Sequence, residues 1–402
     1  MPTVDDRRRL HFLDGLRGLS CLYVLLFHAA TLKLEGHGTP SSVGRIVLAW
    51  LNEGRLAVVF FIVLSGFSLM LPVVRAGSNQ LVGGLWNFAR RRARRILPPY
   101  YAALVLSIAV IVVYNALAPK LGFGQRIDDA ALDTGSIVSH FLLVHDLRFD
   151  WVYRINGPLW SVATEWQIYW VFALVLLPLR KYAGDAWTVV GAWVVGSLPF
   201  FLLPADKNFF WACPWFIGSF ALGMWGAAIG FSPAFERSWL RTRTPWGALS
   251  LAFFGMTIIA FGTSLHARVG YPVTDLVVSL LAFSLINACV RRSAEGQKSP
   301  MLRVLGSTSL VYVGGFSYSL YLVQHPLIRF TEKIFARLPF GYDAVVALHL
   351  LVATPVVIGA AWLFAELFEK PFTTGSILLP RLKRLLGIEP APVQNSPVPR
   401  RP

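Results

Sequence analysis

Charged residues are scarce in this 402-residue chain. They make up only 14% of it, against about 25% in a typical soluble domain, whereas 55% of the residues are hydrophobic. Too few polar groups remain to cover a water-facing surface of this size. The composition excludes a soluble enzyme, a disordered protein and a coiled coil. It predicts an all-α, polytopic bundle of transmembrane helices.

Acidic residues are the scarcer charged type, since 21 Asp and Glu accompany 37 Lys and Arg and the formal net charge is +16. Such an excess is typical of nucleic-acid-binding domains. Here, however, the basic residues form short clusters between apolar runs, as loop charges do in helical membrane proteins. We therefore expect membrane lipid, and no nucleic acid, among the partners of this chain.

Cysteines and metal-binding motifs are also few. Cys21, Cys213 and Cys289 all lie inside apolar runs, and the sequence contains neither C-x-x-C nor H-E-x-x-H. These spacings give no disulfide framework and no metal-ligand pattern. We expect the cysteines to be buried core residues and the protein to bind no metal.

Apolar windows of about 20 residues, which are long enough to cross a bilayer as helices, dominate the rest of the chain. Ten such spans are predicted, at 13–34, 55–74, 99–118, 159–179, 186–204, 209–230, 246–265, 272–290, 308–328 and 342–368. With the N-terminus in the cytoplasm, the inner segments hold 24 Lys and Arg and the outer segments 12, with Arg17 at a boundary. This bias predicts that both termini are cytoplasmic.

The chain divides into a basic cytoplasmic N-terminus (1–12), a transmembrane region (13–372) and a basic, proline-rich cytoplasmic tail (373–402). The longest loop, 119–158, is predicted to be external. Within it, the apolar stretch 136–147 is too short to span, so we expect an interfacial or re-entrant segment.

Arg17 and His28 are ionisable residues in the first predicted span, where a charge is costly and therefore a functional candidate. Their spacing of 11 residues puts both on one helix face, about 16 Å apart along the axis. This geometry predicts a charge anchor near the cytoplasm and a titratable base near the outside. The alternatives are a snorkelling Arg17 paired with Asp14 and a structural His28 bonded to a neighbouring helix.

Glu165 lies in the fourth predicted span, about two turns below the outer surface and at a depth similar to that of His28. A carboxylate beside an imidazole would fix its tautomer and stabilise the imidazolium. Alternatively, Glu165 pairs with an arginine and only holds helices together.

Five arginines, Arg90, Arg91, Arg92, Arg94 and Arg95, precede the third predicted span. Arg92 and Arg95 share a helix face, and two guanidinium groups so placed suit phosphate. A topology-setting cluster that contacts anionic lipid heads is the alternative, and it is strong for the other three arginines.

Six motifs resemble, in the same order, those of the acyltransferase 3 family of bacterial integral-membrane acyltransferases. They are LDGLRGL at 13–19 followed by His28, FFIVLSGF at 60–67, RRARRILPPY at 91–100, LWSVATEWQIY at 159–169, FSYSLYLVQHP at 316–326 and EKPF at 369–372. The resemblance implies a bacterial inner-membrane enzyme that transfers an acyl group, often acetyl, from cytoplasmic acyl-CoA to a hydroxyl of a carbohydrate or related acceptor. Acceptors of stand-alone members include lipopolysaccharide, exopolysaccharides, lipid-linked sugars and macrolide-like metabolites, and we expect this chain to be of that form.

The resemblance also implies site residues. Arg17 and His28 match the functional pair of the first helix, and Arg92 and Arg95 match the family's R-x-x-R. Ser65, Glu165, Tyr169, Tyr318 and His325 fall within the other motifs and are expected along the substrate path.

In the resulting hypothesis, Arg92, Arg95 and Arg17 hold the phosphates of acetyl-CoA or another acyl-CoA. His28 acts as general base or carries the acyl group, and Glu165 orients His28. A transporter or flippase of a lipid-linked sugar or an anionic solute is the alternative.

Overall fold

The computed structural model describes residues 10–32, 34, 37–120, 132–205, 207–263, 265–297 and 299–375. Most of the basic N-terminus, part of the external loop and most of the proline-rich tail therefore lie outside the described residues. The described residues form helices and contain no strand, which confirms the all-α prediction for them.

The first half of the chain carries the helices that build the candidate site. They are α1 (His11–Ala30), α2 (Ser42–Leu51), α3 (Arg55–Arg75), α4 (Gly84–Leu117), α5 (Thr134–Phe141), α6 (Phe149–Val152), α7 (Leu159–Val171) and α8 (Leu177–Leu202).

The second half packs around this group. Its helices are α9 (Phe216–Phe231), α10 (Trp239–Thr242), α11 (Trp246–Gly262), α12 (Leu265–Val269), α13 (Tyr271–Ala294), α14 (Pro300–Leu305), α15 (Thr308–Gly314), α16 (Ser317–Phe335), α17 (Tyr342–Leu348) and α18 (Thr354–Phe364). Wider π-helical turns occupy Phe172–Leu176, His349–Ala353 and Ala365–Glu369.

Seven helical stretches among the described residues are long and apolar enough to cross a membrane. They are His11–Ala30, Ser42–Arg75, Gly84–Leu117, Leu159–Leu202, Phe210–Phe231, Tyr271–Ala294 and Tyr342–Phe372. Their apolar residues also face outward, as at Leu351, which is 75% exposed, and at Val195, which is 67% exposed. The protein is thus a multi-pass membrane protein.

The difference between seven stretches and ten predicted spans has three sources. The 44-residue stretch Leu159–Leu202 covers two predicted spans and is broken at Gly184, whose φ of 78° and ψ of 172° are not helical. The helix Trp246–Gly262 is shorter, at 17 residues. The predicted span 308–328 is divided between α15 and α16.

Glycines let two pairs of helices pack backbone against backbone. On α3, a side chain at Gly66 would collide with the Phe220 carbonyl of α9, and one at Gly223 of α9 would collide with the Val63 carbonyl of α3. Gly18 of α1 is similarly close to the Leu310 carbonyl of α15. Small residues at such crossings permit the close van der Waals packing that associates helices in lipid.

The described part of the segment between α4 and α7, residues 132–158, contacts both helices. The Tyr100 hydroxyl of α4 donates a hydrogen bond of 2.7 Å to the His140 carbonyl. Asp146 accepts hydrogen bonds from the Thr164 hydroxyl (3.0 Å) and the Gln167 amide (2.8 Å) of α7, and burial raises the pKa of Asp146 to about 6. The segment thereby fixes the helix that carries Glu165.

Candidate active site

A narrow cavity of about 100 Å³ lies where α1, α3, α4, α7 and α16 meet. We call it the arginine cavity, and the predicted site residues that line it are Arg17, Ser65, Arg92, Arg95, Glu165, Tyr169 and Tyr318. Seven of the nine residues predicted for the site are thus brought together from five separate motifs.

Arg17 enters this cavity from α1. Its Nη1 donates to Asp14 Oδ1 at 2.8 Å and its Nη2 donates to Ser68 Oγ at 2.5 Å, while its side chain remains 20% exposed. The expected pairing with Asp14 is therefore present, yet the guanidinium also borders the cavity. Arg17 thus has the partner expected of it and also lines the cavity.

Arg92 and Arg95 enter from the N-terminal extension of α4, which begins at Gly84, fifteen residues before the predicted span. Their i, i+3 spacing directs both into the arginine cavity, whereas the Arg91 guanidinium turns away and donates to the Val82 carbonyl at 2.9 Å. Arg92 Nε is buried without a hydrogen-bond partner among the described residues. An unpaired buried donor of this kind is costly and indicates a site for an anionic ligand.

Glu165 contributes the carboxylate of the same cavity. Its Oε1 accepts hydrogen bonds from the Ser65 hydroxyl and, at 2.5 Å, from the Tyr169 hydroxyl. The expectation that Glu165 contacts His28 is therefore corrected, because its hydrogen bonds join α3 to α7 inside the arginine cavity. Similar depth along two helices did not make the two side chains neighbours.

Tyr318 and the EKPF motif secure the N-terminal end of α16. The Tyr318 hydroxyl donates to the Ile96 carbonyl of α4 at 3.1 Å. Glu369 accepts hydrogen bonds from the Ser319 hydroxyl at 2.5 Å and from the Ser319 amide at 3.2 Å, and the neighbouring Lys370 pairs with Glu366. These bonds fix the position of α16 against α4 and the last helix.

His28 instead pairs with His325 of α16. Their ring centroids are 5.2 Å apart and nearly perpendicular, at 72°. The Nδ1 atoms of both rings are buried and have no hydrogen-bond partner within the described residues. Two imidazoles with free ring nitrogens are available to hold or move protons at a substrate.

The histidine pair borders a cavity of about 440 Å³ with aromatic walls. We call it the aromatic cavity, and its rings include Tyr153, Trp160, Phe210, Trp211 and Tyr271. Aromatic faces and a few polar groups suit the apolar faces and the hydroxyls of a sugar.

Arg55 lines the aromatic cavity but is occupied by protein partners. Its Nη2 donates to Asp275 Oδ2 at 2.7 Å and to Cys213 Sγ at 3.2 Å, and Trp215 Nε1 donates to the same carboxylate oxygen at 2.8 Å. Arg55 was not among the predicted site residues. The signal for it in the sequence is Asp275, a carboxylate inside the predicted span 272–290, where a charge needs a partner.

A third space of about 430 Å³ lies on another side of the histidine pair. We call it the charged cavity because Arg154, Arg329 and Glu332 line it. Arg329 Nη1 and Glu332 Oε2 are 2.9 Å apart in an ion pair.

The arginine cavity and the aromatic cavity adjoin each other. Val58 of α3 and Tyr321 of α16 line both. These two side chains therefore lie between the arginines of one cavity and His28 of the other. Within the described residues, no group of three His, Cys, Asp or Glu side chains is arranged to hold a metal ion.

Comparison with protein families matches residues 10–366 to an acyltransferase domain. The chain is 26% identical over 355 residues to Acyltransferase MdmB of Streptomyces mycarofaciens, and the match covers 81% of each chain. It is 24% identical over 184 residues to Peptidoglycan O-acetyltransferase OatA of Listeria monocytogenes, covering 45% of this chain and 26% of that protein.

O-acetyltransferase OatA of Staphylococcus aureus is 21% identical over 345 residues, covering 82% of this chain and 52% of that protein. The chain therefore spans about half or less of the length of these OatA relatives. No solved structure matches the chain.

Proposed function

The chain belongs to the acyltransferase 3 family, and from this membership we propose that it is an O-acyltransferase of the bacterial inner membrane. It moves an acyl group, in the first instance acetyl, from cytoplasmic acyl-CoA to a hydroxyl of a carbohydrate or glycoconjugate. The observation that carries this proposal is the pair of adjoining cavities, one lined by arginines and the other bordered by two histidines.

The donor occupies the arginine cavity. Arg92, Arg95 and Arg17 bind the phosphates of CoA, because guanidinium groups form paired, charge-assisted hydrogen bonds with phosphate oxygens. The unpartnered Arg92 Nε supports this assignment. From there the pantetheine arm extends along α1 and delivers the thioester near His28.

The acceptor occupies the aromatic cavity. In the proposed step, a His28 ring nitrogen takes the proton of the acceptor hydroxyl while the oxygen attacks the thioester carbonyl carbon. The C–S bond then breaks, and the CoA thiolate recovers the proton from His28. Transient acylation of His28 itself, followed by transfer to the acceptor, is the two-step version of the same reaction.

A carbohydrate acceptor is supported by the aromatic walls of this cavity and by the relatives. One relative is named as a peptidoglycan O-acetyltransferase and another as an O-acetyltransferase. Lipopolysaccharide, other polysaccharides, lipid-linked sugars and macrolide-like metabolites share the hydroxyl chemistry that the site requires.

We propose ten spans with both termini in the cytoplasm for the membrane topology. The break at Gly184 supports two spans within Leu159–Leu202. This orientation places Arg92 and Arg95 on the side where acyl-CoA is made and His28 toward the outside. The order of the cavities then matches the direction of transfer.

The test follows thermal unfolding of the detergent-purified protein with CoA and with acetyl-CoA. A ligand that binds only the folded state stabilises it by RT ln(1 + [L]/Kd), or about 2.7 kcal/mol at a concentration of 100 Kd. We expect both ligands to stabilise the wild type and to lose most of this effect in the Arg92→Ala/Arg95→Ala double variant.

The matched control is Arg90→Ala/Arg94→Ala, which removes the same charge from the same helix outside the arginine cavity. Stabilisation of this control together with the wild type supports a defined donor site. An equal loss of stabilisation by CoA in both double variants would mean that the arginines act only through their general positive charge. No stabilisation of the wild type by millimolar CoA would contradict the donor assignment and favour a transporter.

A further inference from the structure

Val58 and Tyr321 stand at the boundary that the acyl group has to cross. They are the residues common to the arginine cavity of about 100 Å³ and the aromatic cavity of about 440 Å³. If the donor phosphates bind at the arginines and His28 acts in the aromatic cavity, the thioester reaches His28 between these two side chains.

Tyr321 is held rigidly at this boundary. Its hydroxyl donates to the Pro158 carbonyl at 3.2 Å and pairs with Ser161 Oγ at 2.7 Å. Its ring packs edge-on against Phe61, with 6.0 Å between centroids, and the residue is only 7% exposed. Moving the ring aside would break both hydrogen bonds in a buried environment, which is unfavourable.

Val58 is the other residue that lines both cavities, and the packing of α3 restricts its movement. It is 6% exposed and lies on α3, whose backbone is in direct contact with that of α9 at Gly66 and Gly223. Its branched side chain also has few rotamers available in a helix. Both walls are therefore stiff.

We propose that Val58 and Tyr321 form a constriction that selects the acyl group by its width. This inference rests on the proposed function. A stiff opening limits the cross-section of what passes and not its length, and the cross-section of a straight acyl chain does not grow with length. Acetyl and short unbranched acyl groups pass, whereas groups branched beside the carbonyl, or aromatic groups, are excluded.

The aromatic cavity beyond the constriction explains why length is tolerated. Its volume of about 440 Å³ is roughly three times that of a cavity of about 150 Å³ that admits benzene. A straight chain of a few carbons therefore still leaves room for an acceptor hydroxyl at His28.

The experiment compares acetyl-, butyryl-, isobutyryl- and benzoyl-CoA with the purified protein. Thermal stabilisation reports binding of the common CoA part, and release of the CoA thiol in the presence of solubilised bacterial membrane glycolipid reports delivery of the acyl group. We expect all four donors to stabilise the wild type similarly. We expect release from butyryl-CoA within about tenfold of that from acetyl-CoA, and release from the two wide donors at least 100-fold slower.

Val58→Ala and Tyr321→Phe test the constriction separately. The first widens the opening by shortening one side chain, and the second removes the hydroxyl that anchors the other side chain. Each should raise the isobutyryl-to-acetyl ratio of release rates about tenfold or more. The matched control is Val59→Ala, which makes the same substitution one residue along α3 in a buried position that lines neither cavity. Stabilisation by CoA verifies that each variant is folded.

An unchanged ratio in both variants, or an equal change in Val59→Ala, would overturn the constriction. So would fast release from benzoyl-CoA by the wild type. If acetyl-CoA does not stabilise the wild type and no CoA thiol is released from it, the proposed function is contradicted. The constriction would then be rejected with it. The two failures are distinguished by whether acetyl-CoA alone is bound and consumed.

Discussion

The arginine cavity and the aromatic cavity both contain arginines, but they use them in opposite ways. In the aromatic cavity, Arg55 is held by the Asp275 carboxylate and the Cys213 sulfur, with its guanidinium 4.8 Å from the centre of the Tyr271 ring. In the arginine cavity, Arg92 keeps a buried Nε without a partner among the described residues. A buried arginine that is bonded to other side chains of the protein has a structural role. A buried arginine with an unpartnered nitrogen is available to a ligand.

The titratable groups divide in the same way. The carboxylate of Glu165 accepts hydrogen bonds from hydroxyl donors in the arginine cavity, and the imidazoles of His28 and His325 lie together at the aromatic cavity. Under the proposed function, donor binding and proton transfer therefore take place at different ends of one path. Substitutions at the two ends should separate in kinetics.

The largest effect should come from His28→Ala. If His28 is the general base or the acyl carrier, transfer should fall by about 10²–10⁴-fold because proton transfer at the acceptor hydroxyl is lost. Stabilisation by CoA should remain, since the arginine cavity is intact. Release of the CoA thiol and thermal unfolding measure the two quantities on the same sample.

The control for that variant is His349→Ala, which removes a buried histidine that lines neither cavity. Full activity of His28→Ala, or loss of CoA binding together with activity, would contradict the division between the two ends.

The next largest effect concerns stability and tests the contrast between Arg55 and Arg92. Asp275→Asn leaves Arg55 buried without its counter-ion, and breaking a buried pair from one side costs about 3–5 kcal/mol. Thermal unfolding should show a large loss, with CoA binding retained in the fraction that folds. Asp150→Asn is the comparison, because its pair with Arg148 has side chains that are 68% and 58% exposed and should be worth at most about 1 kcal/mol.

A smaller effect is expected from Glu165→Gln, which keeps an acceptor oxygen for Ser65 and Tyr169 and removes the negative charge. Because that carboxylate repels the phosphates proposed for the same cavity, the Kd of CoA should fall by about 3–10-fold. Titration of CoA against thermal stability measures this change. A large loss of acyl transfer without tighter CoA binding would instead indicate that Glu165 acts on the reaction at His28.

Sequence reasoning grouped the three arginines of the arginine cavity because their chemical signatures are local in the chain. Ser65, Tyr169 and Tyr318 were named only through the family motifs, and Glu165 was expected beside His28. The spacing of Arg92 and Arg95 and the depth of Arg17 can be read along single helices. The partner of His28 could not be read from a single helix, because it depends on how α1, α7 and α16 are rotated and packed. His325 was expected on the substrate path through its motif, but its contact with His28 comes only from the fold.

The ten predicted spans outnumber the seven long apolar stretches among the described residues for a related reason. Hydropathy reports where apolar residues lie but not where a helix breaks. The predicted spans 159–179 and 186–204 already end on either side of the break at Gly184, whereas the division between α15 and α16 is local geometry that a window of about 20 residues averages away.

The attachment of α16 at Ser319 has a further consequence. This one helix carries Tyr318, which lines the arginine cavity, Tyr321, which lines both cavities, and His325, which lines the aromatic cavity, while Glu369 is hydrogen-bonded to Ser319 of the same helix. If donor and acceptor bind in these two cavities, both contact one helix. Any effect of one ligand on the affinity for the other must then be equal in both directions, by thermodynamic linkage.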